Sequence, residues 1–208
     1  MFATGELADR QKNKGEILIN WISRIDQMII SQQKRAENIA EYILYMWQIE
    51  DLIRAYNFDP DRINKELADQ YQVDPDIKKD IRLWYEGLIE SMKSEQIKSA
   101  GHLAYLVGLL DDLNDFHYRL IDSPHHSDYR VLYEDAIYNI GDFRKKMIVT
   151  DKMSDMEVCL TVLYGFMLMK MKKRTISEDT AEAIETIRKL VAMLSLKFGE
   201  FEEGSIEL

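Results

Sequence analysis

The chain has 208 residues, 46% of them hydrophobic and 31% charged, proportions of a globular protein long enough to bury a sizeable core. Nine glycines and three prolines are too little turn chemistry for an all-β fold, so an all-α class is expected, with long helices joined by short loops. The 27 basic and 37 acidic residues leave a net charge of −10, which argues against nucleic acid as a partner, and the single cysteine, Cys159, excludes an intrachain disulfide.

Taken in chain order, the first predicted helix covers 12–27 and is amphipathic only from Ile17, Trp21, Ile22 and Ile25 onward. Residues 1–27 read as an N-terminal extension, either a fusion or mis-called start before Met28 or a helix that docks on the rest. They lack the basic start, apolar run and cleavage site of a signal peptide, and a cytoplasmic location is expected. Residues 28–200 are expected to form one all-α domain, followed by a frayed tail at 201–208.

The helix predicted over 31–56 carries the most informative stretch, Arg35 to Tyr56. At about 100° per residue, Ile39, Ile43, Met46, Glu50 and Ile53 share one face, so a carboxylate stands where an aliphatic side chain belongs. Burying a bare carboxylate is costly, and Glu50 therefore needs a partner.

Helices at 60–70 and 75–96 follow from Asp59-Pro60 and Asp74-Pro75, each a capping residue followed by a proline at the first helical position. The second shows an apolar seam at Ile77, Ile81, Trp84, Leu88 and Met92. The helix predicted over 101–121 has a seam of Leu103, Leu106, Leu110, Leu113, His117 and Leu120, in which His117 takes a leucine's place and Asn114 leans toward the same face.

Ser123-Pro124 is a weaker start, because His125, His126 and Ser127 look like loop, and the next helix is set at 128–148 along Tyr129, Tyr133, Ala136, Ile140, Phe143 and Met147. Ser154 with Glu157 forms a capping box that opens a helix at 155–173. Its Val158–Met169 segment is apolar nearly all round and too short to span a bilayer, which takes about 20 residues, so 158–171 is expected as the central helix of a bundle of seven or eight. Ser177, Glu178 and Asp179 open the last helix, 178–200, with its seam at Ile184, Ile187, Val191, Leu194 and Phe198. The basic clusters Arg144-Lys145-Lys146 and Lys170–Arg174 sit at helix ends, where cations complement the last carbonyls.

No metal and no cofactor are expected. None of His102, His117, His125 and His126 stands in a Glu-x-x-His or His-x-x-x-His pattern, the spacing that puts two ligands on one helix face. Glycine-rich phosphate loops and a nucleophile elbow are likewise missing. Cys159 shares a face with Met156 and Leu163 and reads as a small buried apolar residue, and the methionine-rich stretch from Met147 to Met171 reads as core filler.

Glu50 and His117 are thus the two polar interruptions of apolar seams. One reading pairs them as a buried acid and base, with Tyr42, Trp47 and Asn114 as ligand-binding neighbours. The other makes each a structural hydrogen bond, Glu50 to Arg54 or a tyrosine, that fixes helix register.

The segments ENIAEYILYMWQIEDLIRAYNFD at Glu37–Asp59, WYEGLIE at Trp84–Glu90, LYG at Leu163–Gly165 and ISEDTAEAI at Ile176–Ile184 resemble the domain of unknown function 4924 family of Bacteroidetes-type bacteria, over about residues 28–198. The resemblance implies a helical, intracellular, bacterial protein and carries no assigned activity or site residue. The expected role is non-enzymatic, a protein-interaction or adaptor module that binds a protein partner or self-associates, with no membrane contact. The alternative is a small-molecule-binding protein or enzyme with an acid/base site at Glu50 and His117.

Overall fold

The structure is a computed structural model that describes residues 38–147 and 153–208. The expected helix at 12–27, the extension 1–27 and the first turns of the 31–56 helix lie outside the described residues. Among the described residues there are seven α-helices and one 3-10 turn, and no strand. They are α1 (Ile39–Ala55), α2 (Pro60–Glu66), the 3-10 turn Ala68–Gln70, α3 (Pro75–Ser94), α4 (Ala104–Asp122), α5 (Ser127–Lys146), α6 (Asp155–Met171) and α7 (Glu178–Glu202). The fold is all-α.

Capping chemistry explains where several helices begin. Asp59 accepts a hydrogen bond from the Arg62 amide with Pro60 in the first turn, Ser154 accepts from the Glu157 amide, and Ser177 from the Thr180 amide. Asp74 makes no such bond, leaving Pro75 as the start signal of α3. Ser123-Pro124 starts no helix: Ser123 is buried, its hydroxyl accepts from the His125 amide, and α5 opens at Ser127. The single helix expected at 60–70 is broken at Leu67, whose amide still donates to the Ile63 carbonyl before the chain tightens into the 3-10 turn.

Two compact units divide these elements, Met46–Leu103 in the first, and the start of α1 up to Tyr45 with Ala104–Leu208 in the second. In the first unit α2, the 3-10 turn and α3 pack together around Ile63, Ala68 and Ile81. The buried face of α3 is Ile81, Tyr85, Ile89 and Met92, so Tyr85 and Ile89 take the core positions that the sequence pattern gave to Trp84 and Leu88. Arg54 on α1 holds the turn that follows α3, its guanidinium donating to the carbonyls of Ile97 and Gly101. Gly101 sits at φ +94, and a Cβ there would come within 3.2 Å of the Ile97 side chain, so glycine suits the position on both counts.

The second unit packs α5 on α7, with α6 against α4, α5 and α7. Its seams match the sequence pattern closely: Leu106, Leu110, Leu113, His117 and Leu120 on α4, and Ile184, Ile187, Val191, Leu194 and Phe198 on α7, are buried. Each fully buried aliphatic side chain contributes about 1.5–3 kcal/mol. In α6 the first turns are buried on all sides, including Met156, Val158, Cys159 and Leu160, whereas Leu163 to Met169 are half-buried and Met171 is exposed.

The last helix extends past its expected end at 200. α7 runs to Glu202, Gly204 at φ +72 closes it with its amide on the Phe201 carbonyl, and His126 Nε2 donates to the Glu207 carbonyl at 3.2 Å.

Candidate functional site

In the first unit, Glu50 is 1% exposed and is fully answered from within that unit. The Leu103 amide donates to Oε1 at 2.8 Å, His102 Nδ1 donates to Oε2 at 2.6 Å, and Arg54 Nη1 stands 4.0 Å from Oε2. Leu103 ends the loop that follows α3, so the carboxylate ties that loop to α1 from 53 residues away in sequence. His102 is stacked on Trp47, with ring centroids 4.3 Å apart and planes 16° from parallel, and its side chain is 37% exposed. Glu50 orients this imidazole and fixes its Nδ1–H tautomer.

In the second unit the carboxylate at the centre is Asp155, at the first position of α6. Tyr133 and Tyr118 donate to its Oδ2 at 2.9 and 3.3 Å, and Arg144 donates to Oδ1. His117 is fully buried, its Nδ1 shares a hydrogen bond with the Tyr129 hydroxyl, and its ring lies edge-on to Tyr129 and Tyr133. Its Nε2 faces Asp155 Oδ2 at 3.9 Å, too far for a hydrogen bond, and among the described residues it has no partner, nor has Arg144 Nε.

His117, Arg144 and Tyr133 hold the Asp155 carboxyl well below the usual carboxylate range, against the opposing pull of burial. Burial, with Asp155 close by, pushes the Tyr133 and Tyr129 hydroxyls above the ordinary tyrosine value. Burial likewise raises the Cys159 thiol, which keeps it protonated and inert.

Glu50 and His117 are therefore not each other's partners. The histidine that answers Glu50 is His102, and His117 belongs to the Asp155 cluster. Trp47 joins Glu50 through His102, Asn114 Oδ1 accepts from the Met156 amide at 3.5 Å at the start of α6, and Tyr42 is buried without joining either cluster. Sequence reasoning missed His102 because a loop residue has no periodicity to betray it. It missed Asp155 because an acid in a helix's first turn reads as a dipole residue. Arg144, read as a helix-end cation, does sit in the last turn of α5, and it also reaches Asp155.

A third feature in the second unit is open to solvent. Between α4 and α7 lies a groove of about 370 Å³, floored by Phe116, Phe198 and Phe201. Phe116 meets Phe198 edge-on at 5.3 Å and Phe201 at 5.2 Å, and the rim carries Asp112, Asp115, Arg119 and Glu202. Ser195, whose buried hydroxyl has no partner among the described residues, borders a smaller depression of about 260 Å³ with Leu44, Leu163 and Val191.

Among the described residues no group of three His, Cys, Asp or Glu side chains could hold a metal ion, and no helix is long and apolar enough to cross a membrane. No curated protein and no solved structure matches the chain. A family model described as Domain of unknown function (DUF4924) matches residues 28–205, and the chain belongs to that family.

Proposed function

We propose that the chain is a non-enzymatic protein-interaction module that binds a protein partner through its second unit. One observation carries this reading. The groove between α4 and α7 is floored by three phenyl rings and holds no acid–base pair of its own, while Glu50 and Asp155 already have intramolecular partners. Phe201 is the half-buried ring of that floor, backed by the buried rings of Phe116 and Phe198, and an aromatic ring held in a concave surface anchors side chains of a partner.

Affinity capture of the full chain from its own host tests the proposal. The expected result is at least one protein retained by the wild type and by Glu50→Gln but lost with Phe201→Asp. A second reading is favoured by His102, which is part-exposed and oriented by a buried carboxylate as in an acid–base dyad. That reading requires a copurified small molecule, seen by native mass spectrometry, that His102→Asn loses. Such a molecule, with no protein distinguishing the Phe201→Asp sample, would overturn the interaction reading.

A further inference from the structure

We infer that the groove between α4 and α7 takes a cationic side chain, an arginine presented by a basic segment of a partner protein. The inference rests on the interaction reading and names the chemistry of the partner. Four features of the groove point the same way.

Its floor is aromatic, and the negative faces of phenyl rings attract cations. Phe201 already receives one, since the Arg119 guanidinium carbon lies 5.1 Å from its ring centroid, so this ring face accepts a guanidinium within the molecule itself. The rim is unbalanced: three carboxylates, Asp112, Asp115 and Glu202, face one guanidinium, and among the described residues none of the three is in an ion pair or side-chain hydrogen bond. Finally, α7 ends in this groove with no basic residue in its last turn, unlike the other six described α-helices. Its terminal carbonyls and Glu202 therefore add negative potential beside Phe201.

Geometry separates this from a merely acidic patch. Asp112, Asp115, Phe116 and Arg119 recur at three- and four-residue spacing along one face of α4, so carboxylates and ring line the same wall. Phe116 and Phe198 are buried, whereas Phe201 is half-buried and Asp112, Asp115, Arg119 and Glu202 are exposed. An arginine lays its planar head against Phe201, the half-buried ring of the floor, while its N–H groups reach the exposed carboxylates. A neutral apolar side chain would use the floor and leave the rim uncompensated.

The test is titration of the full chain with fluorescent tetra-arginine peptide, beside the isosteric tetra-citrulline peptide, which keeps shape and removes charge. The tetra-arginine peptide should bind more tightly than the citrulline peptide, by about tenfold or more. Asp115→Asn combined with Glu202→Gln should weaken it about fivefold. Phe201→Leu, which leaves the net charge untouched, should weaken it by a similar factor. A charge-matched control on α5, Glu134→Gln with Asp135→Asn, should change little.

Equal loss in that control would show attraction to overall charge alone and overturn the proposal. So would a tetra-arginine peptide that does not bind. Equal binding of the citrulline peptide, still lost with Phe201→Leu, would overturn the cation chemistry while leaving the interaction reading standing. Failure of the interaction reading is read separately, in the capture experiment.

Discussion

The two buried carboxylates of this molecule solve the same problem differently. Glu50, in the first unit, is nearly sealed and is satisfied by one amide, one imidazole and a more distant guanidinium. Asp155, in the second, lies at a helix start with two tyrosines and an arginine on it, and its neighbours His117 and Arg144 each keep a buried nitrogen that has no partner among the described residues. The first is a fastening that holds a loop. The second concentrates charge and hydroxyls from α4, α5 and α6, so more contacts depend on one group.

That contrast predicts unequal costs. Asp155→Asn should be the most damaging change, lowering stability by about 3 kcal/mol at neutral pH, because it strips the charge that Arg144 and the tyrosines answer. Denaturant unfolding across pH sharpens the point. The folded carboxyl is depressed below its unfolded value of about 3.9, so the unfolded chain takes up the proton first. The contribution is fully present at neutral pH and falls away below about pH 4, and the gap between wild type and Asp155→Asn should shrink there.

Glu50→Gln should cost less, about 2 kcal/mol, since the amide oxygen still accepts from Leu103 while the charged bond to His102 and the attraction to Arg54 are both lost. Equal losses at the two sites, measured in one denaturant series, would erase the comparison. Smaller again is Tyr133→Phe, about 1 kcal/mol at neutral pH. Its wild-type hydroxyl has a raised folded pKa, so its share of stability is present below about pH 10 and lost above it, and the variant should unfold less steeply in alkali. His102→Ala should be mildest, under about 1 kcal/mol, because the ring is part-exposed and the Leu103 amide still serves Glu50. Thermal melts in the same buffer would rank it last.

Much of the fold was legible because helices write themselves in periodicity and caps. The face Ile39, Ile43, Met46, Glu50 and Ile53 is buried throughout, and Ser154 and Ser177 cap where their spacing predicts. Periodicity finds a residue out of place, which is how Glu50 and His117 stood out, but it is blind to what comes from elsewhere in the chain. His102 reaches Glu50 from a loop, and Asp155 reaches Tyr133 from the start of another helix. The groove was hidden for a related reason: Phe201 falls in the stretch that composition reads as a loose tail, and Asp112 and Asp115 look like an ordinary solvated face until α7 is laid beside them.

The central claim is that the buried polar groups hold the fold while the aromatic groove binds. Measuring thermal midpoint and tetra-arginine affinity on the same two variants, Glu50→Gln and Phe201→Leu, tests it most directly. The two readouts should cross: Glu50→Gln lowers the midpoint and leaves the affinity unchanged, and Phe201→Leu weakens the affinity with little change in the midpoint. Loss of binding in Glu50→Gln at an unchanged midpoint would contradict it.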